Sequence, residues 1–247
     1  MSTVAPSVPL PARVPSPARH ALRMPLSLTV TMGAWFWGVV LVGATVGTVV
    51  AARVAGSVDV SVVAFARQGA IWFPFSLTIM LVATYLSVHV AAGMTRRSFV
   101  RATLLAALVA GAGHTVVMTV LVLAERAVHG ALGWDARIAD ALLPGPHATV
   151  GALLAELGPV LVLANLCGLL VGIVYLRTGG WWGTLALPLT VGPLLLAQAL
   201  NGTDDGLLRG LPEAAVAPAH VLGTALLGVA VAAAYVALVR GAPVRTT

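Results

Sequence analysis

The chain has 247 residues, 59% of them hydrophobic and 9% charged, with a mean hydropathy of +0.99. A soluble domain carries roughly 25% charged residues, so this composition excludes one and points to an integral membrane protein. The net charge of +6 does not imply a nucleic-acid partner, because the basic residues sit in short loops beside apolar runs, where they act as topology signals.

Residues 1–25 contain Pro6, Pro9, Pro11, Pro15, Pro17 and Pro25 together with Arg13, Arg19 and Arg23. Proline removes backbone donors and breaks helices, so this stretch reads as a disordered basic tail. The apolar run Leu26–Ala52 is far longer than the 7–15 residues of a signal-peptide core and reads as a first membrane span. Two more runs, Gln68–Ala92 and Ala102–Ala124, are each long enough to cross a ~30 Å hydrocarbon core at ~1.5 Å per residue. The turn between them, residues 93–101, carries Arg96, Arg97 and Arg101 and no acid, which assigns it to the cytoplasmic face.

A fourth span begins near His147, with its charge-free part at Leu157–Leu176; the fifth is Gly183–Leu200 and the sixth Val216–Val239. The expected architecture is therefore an all-α polytopic membrane domain over residues 26–240. It has six transmembrane helices, both termini in the cytoplasm and a short tail at 241–247. Arg13, Arg19, Arg23, Arg96, Arg97, Arg101, Arg177, Arg240 and Arg245 then lie inside, nine of the 14 basic residues. None of the eight acids does. All 14 are Arg and none is Lys, as in a GC-rich bacterial genome, which makes a bacterial cytoplasmic membrane the expected location. Trp72, Trp181 and Trp182 fall where an interfacial aromatic belt is expected, while Trp35 and Trp37 lie deeper and are expected to pack against other helices. Trp134, Ile138 and Leu142 share one face of an interfacial helix or ordered loop before the fourth span. Gly43/Gly47 and Gly168/Gly172 have the small-residue spacing of close helix crossings, and Pro159, Pro188 and Pro193 predict kinks.

The titratable residues do not assemble a catalytic pattern. His89, His114 and His220 fall at three different membrane depths, and no His-Glu-x-x-His pair, Gly-x-Ser-x-Gly elbow or acidic doublet occurs inside a span. No catalytic residue, metal site or cofactor is expected. No phosphate-cradling loop with Lys and Ser/Thr occurs either, so the chain is not expected to hydrolyse nucleotide itself. Cys167 lies alone in an apolar run and reads as packing. His114 is the one ionisable residue at mid-membrane, and Glu156 lies at the outer interface of the fourth span; with Pro188 and Pro193 they are the candidate transport-path residues.

The turn itself has a specific construction. Thr95 is placed to cap the helix that follows, and Met94 and Phe99 have the spacing of a hydrophobic staple, predicting a short surface helix with its arginines toward water or phosphate. Gly93-Met94-Thr95-Arg96-Arg97-Ser98-Phe99, after the second of six helices, resembles the connector of bacterial type-2 ABC exporter permeases, in which such a run forms a coupling helix docked into a separate ATPase. That resemblance, covering roughly residues 26–240, implies a membrane permease subunit working as a homodimer or heterodimer against separate ATP-binding subunits. Gly93, Thr95, Arg96, Arg97 and Phe99 would carry the docking. Two departures stand out: the family commonly opens with an amphipathic interface helix where this chain is proline-rich, and its last outer loop is usually longer than 201–218. Two other readings stay open: a non-transporting sensor, immunity or scaffold protein, and a stand-alone secondary carrier using His114 or Glu156.

Overall fold

A computed structural model describes residues 17–58, 61–134, 148–200 and 206–241. The elements in chain order are α1 (Pro17–Ala55), a one-turn helix at Val63–Phe65, α2 (Ala66–Ala91), α3 (Arg96–Ala131), α4 (Val150–Leu185), α5 (Leu187–Ala199) and α6 (Glu213–Arg240). No strand occurs among the described residues. Five of the helices are long and apolar enough to cross a membrane, and α5, with 13 residues, is a shorter apolar helix.

The amino-terminal boundary differs from the sequence expectation. Helix α1 begins at Pro17, inside the stretch expected to be disordered, and runs through Pro25. Pro17 is well accommodated in the first helical turn, where its missing N–H has no intrahelical partner to lose, whereas Pro25 lies about two turns farther on, inside the helix. Residues 1–16 lie outside the described residues, as do Ile138 and Leu142 of the expected interfacial helix.

Helix α4 is the axis of the bundle. Its most apolar 18-residue window is 78% buried, against 39% in α2, 50% in α3, 17% in α6 and 0% in α1. Helices α2, α3, α5 and α6 all pack on it. Glycines permit the closest crossings: a Cβ on Gly111 of α3 would lie 2.6 Å from the Val162 Cα, and one on Gly172 would lie 2.8 Å from the Ile79 carbonyl oxygen of α2. Gly168 meets α2 at Phe75 and Thr78 in the same manner, so the Gly168/Gly172 pair is the α2–α4 crossing. Among the described residues the Gly43/Gly47 pair makes no such crossing: a Cβ on Gly43 would meet nothing within 4 Å, and one on Gly47 would meet the Val62 side chain at 3.3 Å.

The fourth and fifth expected spans are joined without a loop. Within α4 the backbone leaves the helical region at Gly179 (φ 79°, ψ −179°), a conformation essentially restricted to glycine. The chain then turns back on itself: Tyr175 Oη lies 2.9 Å from Thr184 Oγ1, and Gly183 sits against the Tyr175 ring. The returning limb is the end of α4 followed by α5, with Ala186 between them. Pro188 in the first turn of α5 accounts for that interruption, because it has no N–H to continue the hydrogen-bond ladder of α4. No non-helical backbone angle falls at Pro159; the break in α4 is at Gly179.

Candidate functional site

One end of the bundle gathers the α2–α3 turn, the α4 reversal and the end of α6. The turn is fully capped. Gly93 (φ +75°) closes α2, with its N–H on the Val90 carbonyl (3.0 Å) and the Met94 N–H on the His89 carbonyl (3.2 Å). This is the paired arrangement in which a left-handed glycine satisfies the last carbonyls of a helix. Thr95 then caps α3, its Oγ1 accepting from the Ser98 N–H at 3.2 Å. The expected cap is present, but the expected separate surface helix is not: with both helix ends satisfied inside four residues, α3 starts at Arg96 and continues unbroken for 36 residues.

The arginines of this end have two kinds of environment. Arg96 donates to the Arg240 carbonyl oxygen (2.9 Å) and Arg177 to the Leu238 carbonyl oxygen (2.7 Å). Both place positive charge on the negative end of α6 and tie three helices together. Arg97 and Arg101 are exposed. With Arg96, Arg240 and a floor of Val100 and Val236 they line a concavity of about 360 Å³ that contains no acid. Phe99 points the other way. It is 2% exposed and packs edge-to-face on His89, ring centroids 5.2 Å apart, while His89 Nε2 lies 3.0 Å from Ser98 Oγ. The first turn of α3 thus directs the Phe99 ring, expected at a docking surface, into the core, while Gly93, Thr95, Arg97 and Arg101 form the exposed surface.

The remaining candidates stand apart from this end and from one another. His114 is 4% exposed, in the middle of α3, beside Phe36 and Trp37 of α1 with ring centroids 6.1 and 5.8 Å away. Trp37 is the packing residue expected there, whereas Trp35 is 72% exposed and points away from the bundle. Glu156 is half-buried at the opposite end, where its backbone carbonyl oxygen lies 3.3 Å from His220 Nε2. Pro188 marks the start of α5, and Pro193 lies within it.

Three polar features were not singled out from the sequence. Glu125 of α3 receives hydrogen bonds from Ser61 Oγ and from the Val62 and Val63 N–H groups (2.7 and 3.1 Å), anchoring the start of α2 with a carboxylate. Arg67 is 8% exposed, its Nε finds no acceptor, and the Glu156 carboxylate is close enough to act on it electrostatically. Asn165 lies fully buried on α4, donating to the Leu161 carbonyl at 2.8 Å. Their positions read as an outer-loop acid, an outer-loop arginine and one polar residue in an apolar run; only the tertiary packing reveals the partners of Glu125 and Arg67 and the burial of Asn165.

Comparison with protein-family models, curated proteins and solved structures finds no match. The functional reading therefore rests on the geometry above and on the residues of the α2–α3 turn.

Proposed function

We propose that this chain is the membrane permease subunit of a bacterial ATP-binding-cassette exporter, driven by a separate ATP-binding subunit that docks at the α2–α3 end. In this reading that end lies in the cytoplasm with both termini, and the limb from Gly180 to Ala199 is the fifth of six spans of the cytoplasmic membrane. The observation that carries the proposal is the exposed, acid-free arginine surface built on a fully capped turn. Capping at Gly93 and Thr95 makes the turn stiff, so a push from a partner moves α2 and α3 together. Arg97 and Arg101 supply charge for an acidic groove, and the Arg96 and Arg177 links carry the displacement into α6. ATP-driven closure of the partner would bias the bundle between two packings. Two copies of the permease would enclose the substrate path.

A second reading, a non-transporting scaffold or sensor, draws support from the unbroken start of α3, since a coupling element lying across the membrane surface is the usual means of receiving such a push. Photo-crosslinking in native cells separates the two. A crosslinker replacing Arg97 is expected to capture an ATP-binding protein, and one replacing the exposed Trp35 is not. Capture of a protein without an ATP-binding fold at position 97 would favour the scaffold.

A further inference from the structure

Helices α1 and α3 diverge along part of their length and leave a groove of about 320 Å³, walled by Val30 and Gly33 of α1 and by Val109, Gly113 and Val117 of α3. Its lining is almost wholly apolar. Val30 and Val109 at its mouth are 62% and 43% exposed, so it opens sideways, toward the acyl chains of a surrounding bilayer and not toward either end of the bundle. Three polar residues border it, Thr29, Trp37 and His114, the last two with buried polar atoms that lack a partner. His114 Nδ1 lies 2.9 Å from the Ala110 carbonyl oxygen. A carbonyl only accepts, so Nδ1 holds the proton and Nε2 of the neutral ring is a bare acceptor. Nε2 has no partner, and neither has the Trp37 Nε1–H donor. The two rings are 5.8 Å apart and tilted by 49°, without a hydrogen bond between them. An unmet donor and an unmet acceptor side by side beneath an apolar groove are matched by one group that both accepts and donates.

We propose that this groove binds a bilayer-dissolved molecule with a long apolar body and a single hydroxyl. The hydroxyl oxygen accepts from Trp37 Nε1–H and its proton is donated to His114 Nε2, while the chain lies along Val30, Val109 and Val117. Both atoms are covered, His114 Nε2 by α1 at Gly33, so α1 and α3 must part locally for the hydroxyl to enter. Two glycines keep the space open. A Cβ on Gly33 would stand 3.4 Å from His114 Cε1, and one on Gly113 would meet nothing within 4 Å. The site is independent of the exporter reading.

The test is retention of radiolabelled 1-tetradecanol by the purified full-length protein in lipid nanodiscs, beside labelled tetradecane, which has the same chain and no hydroxyl. Saturable binding of the alcohol is expected, about fivefold or more tighter than the alkane, the factor associated with one net hydrogen bond. Trp37→Phe and His114→Leu should each remove most of that preference. Gly113→Leu fills the groove from a position with no neighbour to displace, so it should abolish retention without lowering the melting temperature. Equal retention of alcohol and alkane would overturn the proposal, because the polar pair would then play no part. Full retention by Gly113→Leu, or no saturable binding to a wild type of normal melting temperature, would overturn the groove as the site.

Discussion

Arg97 and Arg101 differ from Arg96 and Arg177 in what each can lose. Arg96 and Arg177 hold carbonyls at the end of α6, so replacing either with Met should lower the melting temperature in detergent by a few degrees, as expected for one lost charge-assisted hydrogen bond. Replacing Arg97 and Arg101 with Glu together should leave that melting temperature unchanged and act only on partner association. Arg67 should behave in the opposite way from a structural salt-bridge residue. A buried guanidinium without a full set of partners is costly, and an apolar side chain of similar length removes that cost. Arg67→Met is therefore expected to keep or raise the melting temperature in a thermal melt; a clear drop would mean that the attraction of the Glu156 carboxylate outweighs the cost of burial. The arginines of the α2–α3 turn were legible in sequence because they interrupt two apolar runs. Arg67 was not, since a single arginine at a span's edge looks the same whether it faces water or the inside of a bundle.

Helix boundaries are decided by a few backbone-controlling residues. The Thr95 cap followed directly from a threonine between a glycine-closed helix and an apolar run. The consequence for Phe99 did not: a ring four residues after Met94 is compatible with a staple on a surface helix or with the inner face of a continuous α3, and the second is observed. Phe99→Ala thus removes a buried aromatic, at a cost of about 3 kcal/mol or more. It should lower the melting temperature before it says anything about docking. The reversal between the fourth and fifth spans depends on Gly179, whose backbone angles only glycine adopts easily. Gly179→Ala is expected to destabilise the protein by roughly 1–3 kcal/mol. Gly180→Ala, where an added Cβ meets nothing within 4 Å, should be nearly silent in the same melt. Hydropathy located both limbs and left their joint between Leu176 and Gly183, where the break at Gly179 falls; which residue there carries the reversal was not legible, because Gly179 and Gly180 look alike in sequence.

At the scale of the molecule, α4 is buried on nearly all sides, while α1 packs on the bundle around Gly33 and Trp37 and carries no buried residue from Gly38 to Ala55. Composition gave the membrane class, and apolar run lengths gave the number of long segments to within one. The central place of α4 was visible only as three glycines and an asparagine in one run, since a membrane span is apolar all round whether it faces lipid or protein. An arrangement with one buried axis and more exposed outer helices suits a protein whose outer elements move against a packed centre, which is what a partner acting at the α2–α3 end requires. The most direct measurement is therefore co-purification of the tagged wild-type protein from its native membranes in mild detergent, beside the Arg97→Glu/Arg101→Glu variant, with mass spectrometry of the associated proteins. An ATP-binding subunit recovered in near-equal amount with wild type, and lost from a variant of unchanged melting temperature, is the predicted result. A complex that survives extraction but contains no ATP-binding protein, or an ATP-binding protein retained equally by the variant, would contradict the account.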